Sequence, residues 1–184
     1  RTYSAVAQRI QSAILEHLYD PSLGMFVKLI RPSEDGPDFI DITIDSSSFF
    51  GVWYFGVLEV GDERVVQAFR TMEQALLVHA NSDGYVRYQH DNYYTMQDAG
   101  SPNPWVVTTM WVAQYHISAA TTVIDLDRAY ALLEWTASHA TESGVLAEQM
   151  HPHTRQHLST APLIWSHAEY VLTVHAYLEA YRRL

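Results

Sequence analysis

Apolar residues recur along this chain at steps of three and four, the spacing that places side chains on one face of an α-helix. Polar stretches containing proline, glycine, aspartate and serine separate these segments. The pattern predicts six α-helices, over residues 2–19, 49–58, 62–79, 105–119, 125–140 and 163–182.

Two details of these helices make specific predictions. Asp45 and the serines at positions 46–48 precede the second helix, and both residue types favour the N-cap, where a side-chain oxygen accepts a backbone N–H. In the last helix, the spacing of apolar residues predicts an inward face. That face comprises Ala168, Val171, Leu172, His175 and Leu178.

The connections between the helices have very unequal lengths, and no sequence repeat accompanies them. Helical solenoids keep a fixed period of about 34–47 residues, so the pattern argues against a solenoid. It favours stacked αα-hairpins in a toroid whose loops carry a site. We therefore predict an all-α fold in which three hairpins form half of a six-hairpin ring.

Composition places the chain among globular proteins and excludes several classes of function. Its 184 residues, 48% apolar and 17% charged, suffice for a single domain over residues 1–184. Eleven basic against 21 acidic residues give a formal charge of −10, which argues against a nucleic-acid partner. No apolar run approaches the roughly 20 residues of a membrane span. Cysteine is absent, and the first residues show no signal-peptide pattern, which slightly favours the cytoplasm.

Three loops concentrate polar and aromatic side chains, over residues 29–45, 84–103 and 143–162. Sugars present hydroxyl edges and apolar C–H faces, so a saccharide site combines charged donors, carboxylates and aromatic platforms. The loops therefore offer residue types that suit a sugar-binding site with one catalytic carboxylate and five substrate-binding residues, although polar loops are common and a glutamate there is by default an ordinary surface residue. The candidates are Glu148 for catalysis and Arg87, Tyr88, Asp91, Gln149 and Trp165 for binding.

Four motifs strengthen this prediction because they follow one another in a known order. They are Arg87–Tyr94 (RYQHDNYY), Asn103–Trp105 (NPW), Leu146–Gln149 (LAEQ) and Leu163–Ala168 (LIWSHA). In this order they resemble the C-terminal half of the catalytic domain of glycoside hydrolase family 15, the glucoamylase and glucodextranase family. The resemblance covers roughly Asp45 to the C-terminus.

The resemblance implies an (α/α)6 barrel and an inverting, exo-acting hydrolase of terminal α-glucosidic bonds. Glu148 matches the glutamate that acts as general base on the attacking water and must therefore be ionised. Arg87 matches an arginine that binds glucose hydroxyls, with Asp91 nearby to orient it or balance its charge. Trp165 matches an aromatic residue beside the first sugar subsites. The expected partner is an oligosaccharide or α-glucan, with no cofactor.

The chain also departs from the family pattern. The family's general acid lies in a glutamate-rich segment upstream of anything present here, and no such pattern surrounds Glu16, Glu34 or Asp35. The loop over residues 95–102 is longer than usual, and Ile164 stands where threonine is common. We therefore expect a truncated catalytic domain that does not hydrolyse efficiently alone, because the leaving oxygen lacks a proton donor.

Plainer explanations exist for several of these residues. Arg87 and Asp91 would also fit a surface ion pair worth less than ~1 kcal/mol, and Trp165 would fit the core. The histidines of the 151–157 loop have a spacing that suits a metal, but such a loop preorganises ligands poorly, so we expect no metal site. Four further tryptophans are predicted to be core, namely Trp53, Trp105, Trp111 and Trp135.

Two other classes of function remain open at this point. A non-catalytic saccharide-binding or regulatory toroid would account for the missing acid, and an α-helical interaction scaffold would account for the helices alone. In any of these cases a half-ring exposes apolar helix faces. We therefore expect a dimer or another chain segment that completes the ring.

Overall fold

The computed structural model describes residues 2–78, 83–96 and 100–184. Contacts group the chain into two compact units, of which one ends at Ala75 and the other runs over Leu76–Leu184. The assignment of a single domain stays a prediction. Within the described residues no helix has both the length and the apolarity needed to cross a membrane. All six predicted helices are present: α1 Thr2–Ala13, α2 Ser46–Tyr54, α3 Glu63–Leu76, α4 Val106–Ala119, α5 Asp127–Ser138 and α6 Ile164–Arg183.

Short strands add order to two of the predicted loops and to the segment after the first helix, where Tyr19, predicted to be helical, lies in a strand. Each run of two or three residues is too short to show an alternating pattern, so sequence periodicity could not reveal it. The strands pair into three antiparallel hairpins: β1 Tyr19–Asp20 with β2 Met25–Phe26, β3 Leu29–Arg31 with β4 Phe39–Asp41, and β5 Gln149–Met150 with β6 His157–Leu158.

In the first unit, α2 begins where its cap predicts. Asp45 Oδ1 accepts the backbone N–H of Ser47 at 2.9 Å, and its other carboxylate oxygen lies 3.0 Å from Lys28 Nζ. The N-cap prediction is therefore confirmed. Helix α2 then packs against α3 through aromatic rings, with the centroids of Phe49 and Phe69 5.6 Å apart.

In the second unit, α4 packs against both α5 and α6. Helix α4 carries apolar and threonine side chains on all of its faces. Most of its residues are buried, as expected for a helix with two helical neighbours. The apolar residues of α5, together with Leu126 just before it, follow the helical period, and the face that they define is also buried. Its buried members include Leu126, Ala129, Leu133 and Thr136.

The inward face predicted for α6 is wrong. The five residues of that face are all exposed, with Val171, Leu172 and Leu178 at 52, 54 and 41%. The buried residues of α6 are instead Ser166, Thr173 and Ala180, which lie seven residues apart and so share one face. Small side chains let α6 approach α4 closely, and the spacing of large apolar residues gives no sign of such a contact.

Candidate functional site

Single backbone bridges connect the loops of the second unit into a ladder. Antiparallel bridges join Leu77 to Tyr85, Tyr85 to Trp105 and Trp105 to Gln149. Gln149 then pairs with Leu158 across the β5–β6 hairpin. Segments that lie far apart in the sequence are thereby held side by side. Two of the four motifs, Asn103–Trp105 and Leu146–Gln149, contribute residues to this ladder, and the Arg87–Tyr94 motif joins it through the hydrogen bond from Asn103 Nδ2 to the carbonyl of Tyr94.

The fourth motif, at the start of α6, is tied to the same ladder. The backbone N–H of Leu163 donates to the carbonyl of Leu146 at 3.0 Å. Ser166 Oγ donates to the carbonyl of Ala147 at 2.8 Å, and the N–H of Leu146 donates to His167 Nε2 at 3.1 Å. The structure therefore brings together all four motifs that were identified in the sequence.

Arg87 is a cation whose orientation is fixed while one nitrogen stays open. Its Nε and Nη2 each donate to the carboxylate of Asp91 at 3.1 Å. The guanidinium carbon lies 4.2 Å from the ring centre of Trp105, 4.7 Å from that of Tyr88 and 5.5 Å from that of Tyr93. Nη1 donates no hydrogen bond to the described residues, and the side chain is 35% exposed. Arg87 can therefore present one fixed donor to a ligand.

The partner of Arg87 is a buried carboxylate. The side chain of Asp91 is only 2% exposed, and it also accepts the backbone N–H of Tyr93 at 3.0 Å. The alternative of an ordinary surface ion pair is therefore wrong for this pair. Trp105 is buried as predicted, and its ring also contacts the guanidinium, so a core residue lies directly beside the candidate site.

Glu148 lies half-buried on a backbone that is fixed on both sides. Its N–H donates to the carbonyl of Thr160 at 2.9 Å, and its own carbonyl accepts from the N–H of Val106 at 3.2 Å. Oε2 accepts a hydrogen bond from Ser159 Oγ. Oε1 accepts none from the part of the chain that the structure describes. One carboxylate oxygen is thus held and the other is open, which is the arrangement a general base requires.

Ser159 was not found from the sequence. It lies outside the four motifs, and it meets Glu148 only because of how the β5–β6 hairpin pairs. Its φ of 59° lies in the left-handed region, which costs a non-glycine residue roughly 1–2 kcal/mol. A serine held there with its hydroxyl on the candidate base is a contact that only the structure reveals.

Gln149 and Asn103 form a buried link between two motifs. Asn103 Nδ2 donates to Gln149 Oε1 at 2.8 Å and to the carbonyl of Tyr94 at 2.9 Å. Gln149 Nε2 and Asn103 Oδ1 are buried and have no partner among the described residues. Gln149 is fully buried, so the structure places it as a support for the ladder, and its direct contact with a substrate stays a prediction.

Trp165 lies at the start of α6 with half of its surface exposed. Its Nε1 donates to Glu169 Oε1 at 3.0 Å, and its ring meets that of Trp111 edge-on at 5.8 Å between centroids. The alternative that Trp165 is core is therefore wrong, and Trp111 is only half-buried. The core prediction is confirmed for Trp53 and Trp135.

The loop histidines take part in local hydrogen bonds. His151 Nδ1 accepts the backbone N–H groups of His153 and Thr154 at 3.2 and 3.3 Å. His157 Nε2 donates to the carbonyl of His139 at 2.7 Å. Across residues 2–78, 83–96 and 100–184, no three histidine or carboxylate side chains converge to hold a metal ion. These histidines therefore shape the loop around Glu148.

Comparison with known families agrees with the order of the motifs. The model of glycosyl hydrolases family 15 matches residues 1–175. The chain belongs to this family. The match includes the first 44 residues, which the motifs alone had left outside the resemblance. An uncharacterized glycosyl hydrolase of Methanocaldococcus jannaschii is 27% identical over 159 residues, which are 82% of this chain and 23% of that protein.

Solved structures confirm the predicted fold, a part of the glucoamylase (α/α)6 barrel. A bacterial glucoamylase complexed with acarbose has a TM-score of 0.66 and 22% identity, over 85% of this chain and 25% of its own. A glycosidase variant in complex with glucose has a TM-score of 0.71 and 21% identity, over 94% of this chain and 43% of its own. The glucoamylase of Saccharomycopsis fibuligera has a TM-score of 0.68 and 13% identity, over 97% of this chain and 50% of its own. The chain thus spans a quarter to a half of these family structures.

Proposed function

We propose that this chain supplies the general base and part of the sugar-binding wall of an inverting, exo-acting hydrolase of terminal α-glucosidic bonds. Membership of glycosyl hydrolases family 15 supports the reaction class. Structural neighbours complexed with acarbose and with glucose support a sugar ligand. The single observation that carries the proposal is Glu148, whose Oε2 is held by Ser159 while its Oε1 is open.

In this proposal, Glu148 Oε1 takes a proton from a water molecule while the oxygen of that water forms a bond to the anomeric carbon. The water attacks from the side opposite the leaving oxygen, so the configuration inverts, and inverting enzymes hold their two carboxyl groups ~6.5–9.5 Å apart to admit it. Arg87 Nη1 donates to sugar hydroxyls, and Trp165 faces the apolar C–H surface of the sugar. Because no residue of this chain is assigned as general acid, the isolated 184 residues should bind without turnover.

The test is Glu148→Gln in the complete natural polypeptide. The amide cannot accept the proton, so turnover of glucose oligomers should fall by at least about 10²-fold. Glu142→Gln is the matched control, since Glu142 is an exposed glutamate in the same loop. Proton NMR of the first product should show the β-anomer of glucose. Calorimetric binding of acarbose should survive the Glu148 substitution.

The outcomes separate the candidate functions. Undiminished turnover after Glu148→Gln would show that the base is another residue. Binding of acarbose by a natural protein without turnover would favour the non-catalytic saccharide-binding toroid. Absence of both binding and turnover would favour the interaction scaffold.

A further inference from the structure

The indole of Trp165 is held at its nitrogen edge by a carboxylate one turn further along α6. Trp165 Nε1 donates to Glu169 Oε1 at 3.0 Å, and the ring of Trp111 lies edge-on against the indole. Residues at i and i+4 share a helix face, so α6 itself provides this geometry. Half of the Trp165 surface nevertheless remains exposed. Carbon atoms make up all of the indole except Nε1, which is hydrogen-bonded, so the side chain can offer a ligand only apolar ring surface.

Glu169 is in turn held from inside the helical packing. Gln114 Nε2, on α4, donates to Glu169 Oε2 at 2.8 Å and to Thr173 Oγ1 at 3.0 Å. The Thr173 hydroxyl donates back to the carbonyl of Glu169 at 2.6 Å. Gln114 and Thr173 are both buried. Each oxygen of the Glu169 carboxylate therefore has one donor, and the chain of contacts runs from the α4–α6 packing out to the indole.

We propose that Glu169 is a positioning residue that locks Trp165 as a fixed apolar platform for a sugar ring. The proposal rests on the function proposed above, since it assigns Trp165 to the sugar-binding wall. With its N–H engaged, Trp165 contributes stacking on an apolar C–H face and no hydrogen bond to the ligand. Such a platform favours pyranose rings that present an apolar face, and it selects ligands by ring shape.

The alternative is that Glu169 only joins α6 to α4. A purely structural residue would change the stability of the fold and leave the affinity of the folded protein unaltered. A positioning residue acts on binding, because the freed indole must be ordered again when the ligand arrives. Immobilising one side chain corresponds to about 3–10-fold in affinity. The effect should also depend on the indole N–H being present.

The experiment compares Glu169→Met with Glu169→Gln in the complete natural polypeptide, with acarbose as the probe. Methionine keeps the length of the side chain but replaces the carboxylate with a thioether, which is only a weak acceptor for the indole N–H, so the Kd for acarbose and the KM should both rise about 3–10-fold, with kcat within twofold. Glutamine retains an acceptor for the indole, so the Kd for acarbose should stay near wild type, whereas Tm should fall because the new amide nitrogen faces the donor Gln114 Nε2. Glu179→Met is the control, because Glu179 is exposed on the same helix.

Repeating Glu169→Met in a variant whose indole N–H is absent separates positioning of Trp165 from a purely structural role. In Trp165→Phe the ring face remains but the N–H is gone, so adding Glu169→Met should cause no further loss of affinity. The proposal is overturned if Glu169→Met weakens binding equally in both backgrounds, or if it lowers Tm while the Kd is unchanged. If wild type binds no acarbose, or if Trp165→Ala leaves its Kd unaltered, the assignment of Trp165 to the sugar site fails as well.

Discussion

The Arg87–Asp91 pair provides a quantitative test because the chain contains a matched pair on its surface. In both pairs an arginine donates from Nε and Nη2 to the two oxygens of one aspartate. The distances are 3.1 and 3.1 Å for Arg87–Asp91, and 2.9 and 2.8 Å for Arg64–Asp62. The shorter contacts belong to Asp62, whose side chain is 25% exposed, against 2% for Asp91. Distance therefore predicts that Arg64–Asp62 is the stronger pair, whereas burial predicts that Arg87–Asp91 is.

Burial should decide which pair stabilises the fold more, so Asp91→Asn should lower the free energy of unfolding by about 2–4 kcal/mol. The amide nitrogen would face Arg87 Nε, which is also a donor, and the charge of the pair would be lost where the carboxylate is almost fully buried. The cost should not exceed this range, because the Arg87 guanidinium is 35% exposed and can be partly rehydrated once its partner is lost. Asp62 also caps α3, because its Oδ1 accepts the backbone N–H of Arg64 at 2.9 Å. Asp62→Asn should cost less than about 1 kcal/mol, since water replaces the partly exposed pair and asparagine caps a helix as well as aspartate does.

Urea denaturation followed by tryptophan fluorescence measures both variants. The Asp62 variant reports on the unit that ends at Ala75 and the Asp91 variant on the other, so each is compared with the transition of its own unit. A loss for Asp91→Asn no larger than that for Asp62→Asn would refute the reasoning that burial sets the strength of these pairs. Sugar affinity should also fall for Asp91→Asn, because Arg87 then loses its fixed orientation.

Three further predictions follow from the structure. Gly84→Ala should cost about 1–3 kcal/mol, because a Cβ there would lie 2.7 Å from a ring atom of Trp135, whereas Gly61→Ala, with no atom within 4 Å, should be neutral in the same denaturation assay. Burial, and then a neighbouring arginine, lower the pKa of His116 from 6.5 to about 4. The unfolded chain binds this proton more readily, so stability should fall by up to about 3 kcal/mol as pH drops from 6.5 towards 4, and His116→Gln should reduce the slope. Ser159→Gly and Ser159→Ala should lower turnover equally in the complete protein, but glycine should be more stable by about 1 kcal/mol because φ is positive there.

Local features of the fold could be predicted from the sequence because their causes are local. The period of apolar residues identifies α3 and α5 with their buried faces, and Asp45 marks the start of α2 through a contact two residues away. The candidate site could be predicted only as a set of residues. Their types and order indicate a sugar site, but the spacing gives no distance between Arg87 and Glu148.

What the sequence could not reveal depends on contacts between distant segments. Ser159 reaches Glu148 through a hairpin of two-residue strands, and Glu169 is recognised only once Gln114 is seen beside it on α4. The buried face of α6 was missed for a similar reason. Its contact with α4 uses polar residues such as Thr173, which accepts a hydrogen bond from Gln114 and which hydrophobic periodicity treats as solvent-facing.

The candidate site follows one physical rule, in which each side chain proposed to act on the ligand is fixed on one side and open on the other. Asp91 fixes Arg87 and leaves Nη1 open, Ser159 fixes Glu148 and leaves Oε1 open, and a carboxylate fixes the edge of Trp165 while its ring surface stays exposed. A group fixed before the ligand arrives loses little conformational entropy on binding and keeps its geometry during the reaction. In Arg87 and Trp165 the fixing partner is itself buried or tied to buried residues, which distinguishes them from an exposed pair of the same chemistry. Side chains that share this pattern are the ones whose supporting partners should affect affinity and turnover when they are changed.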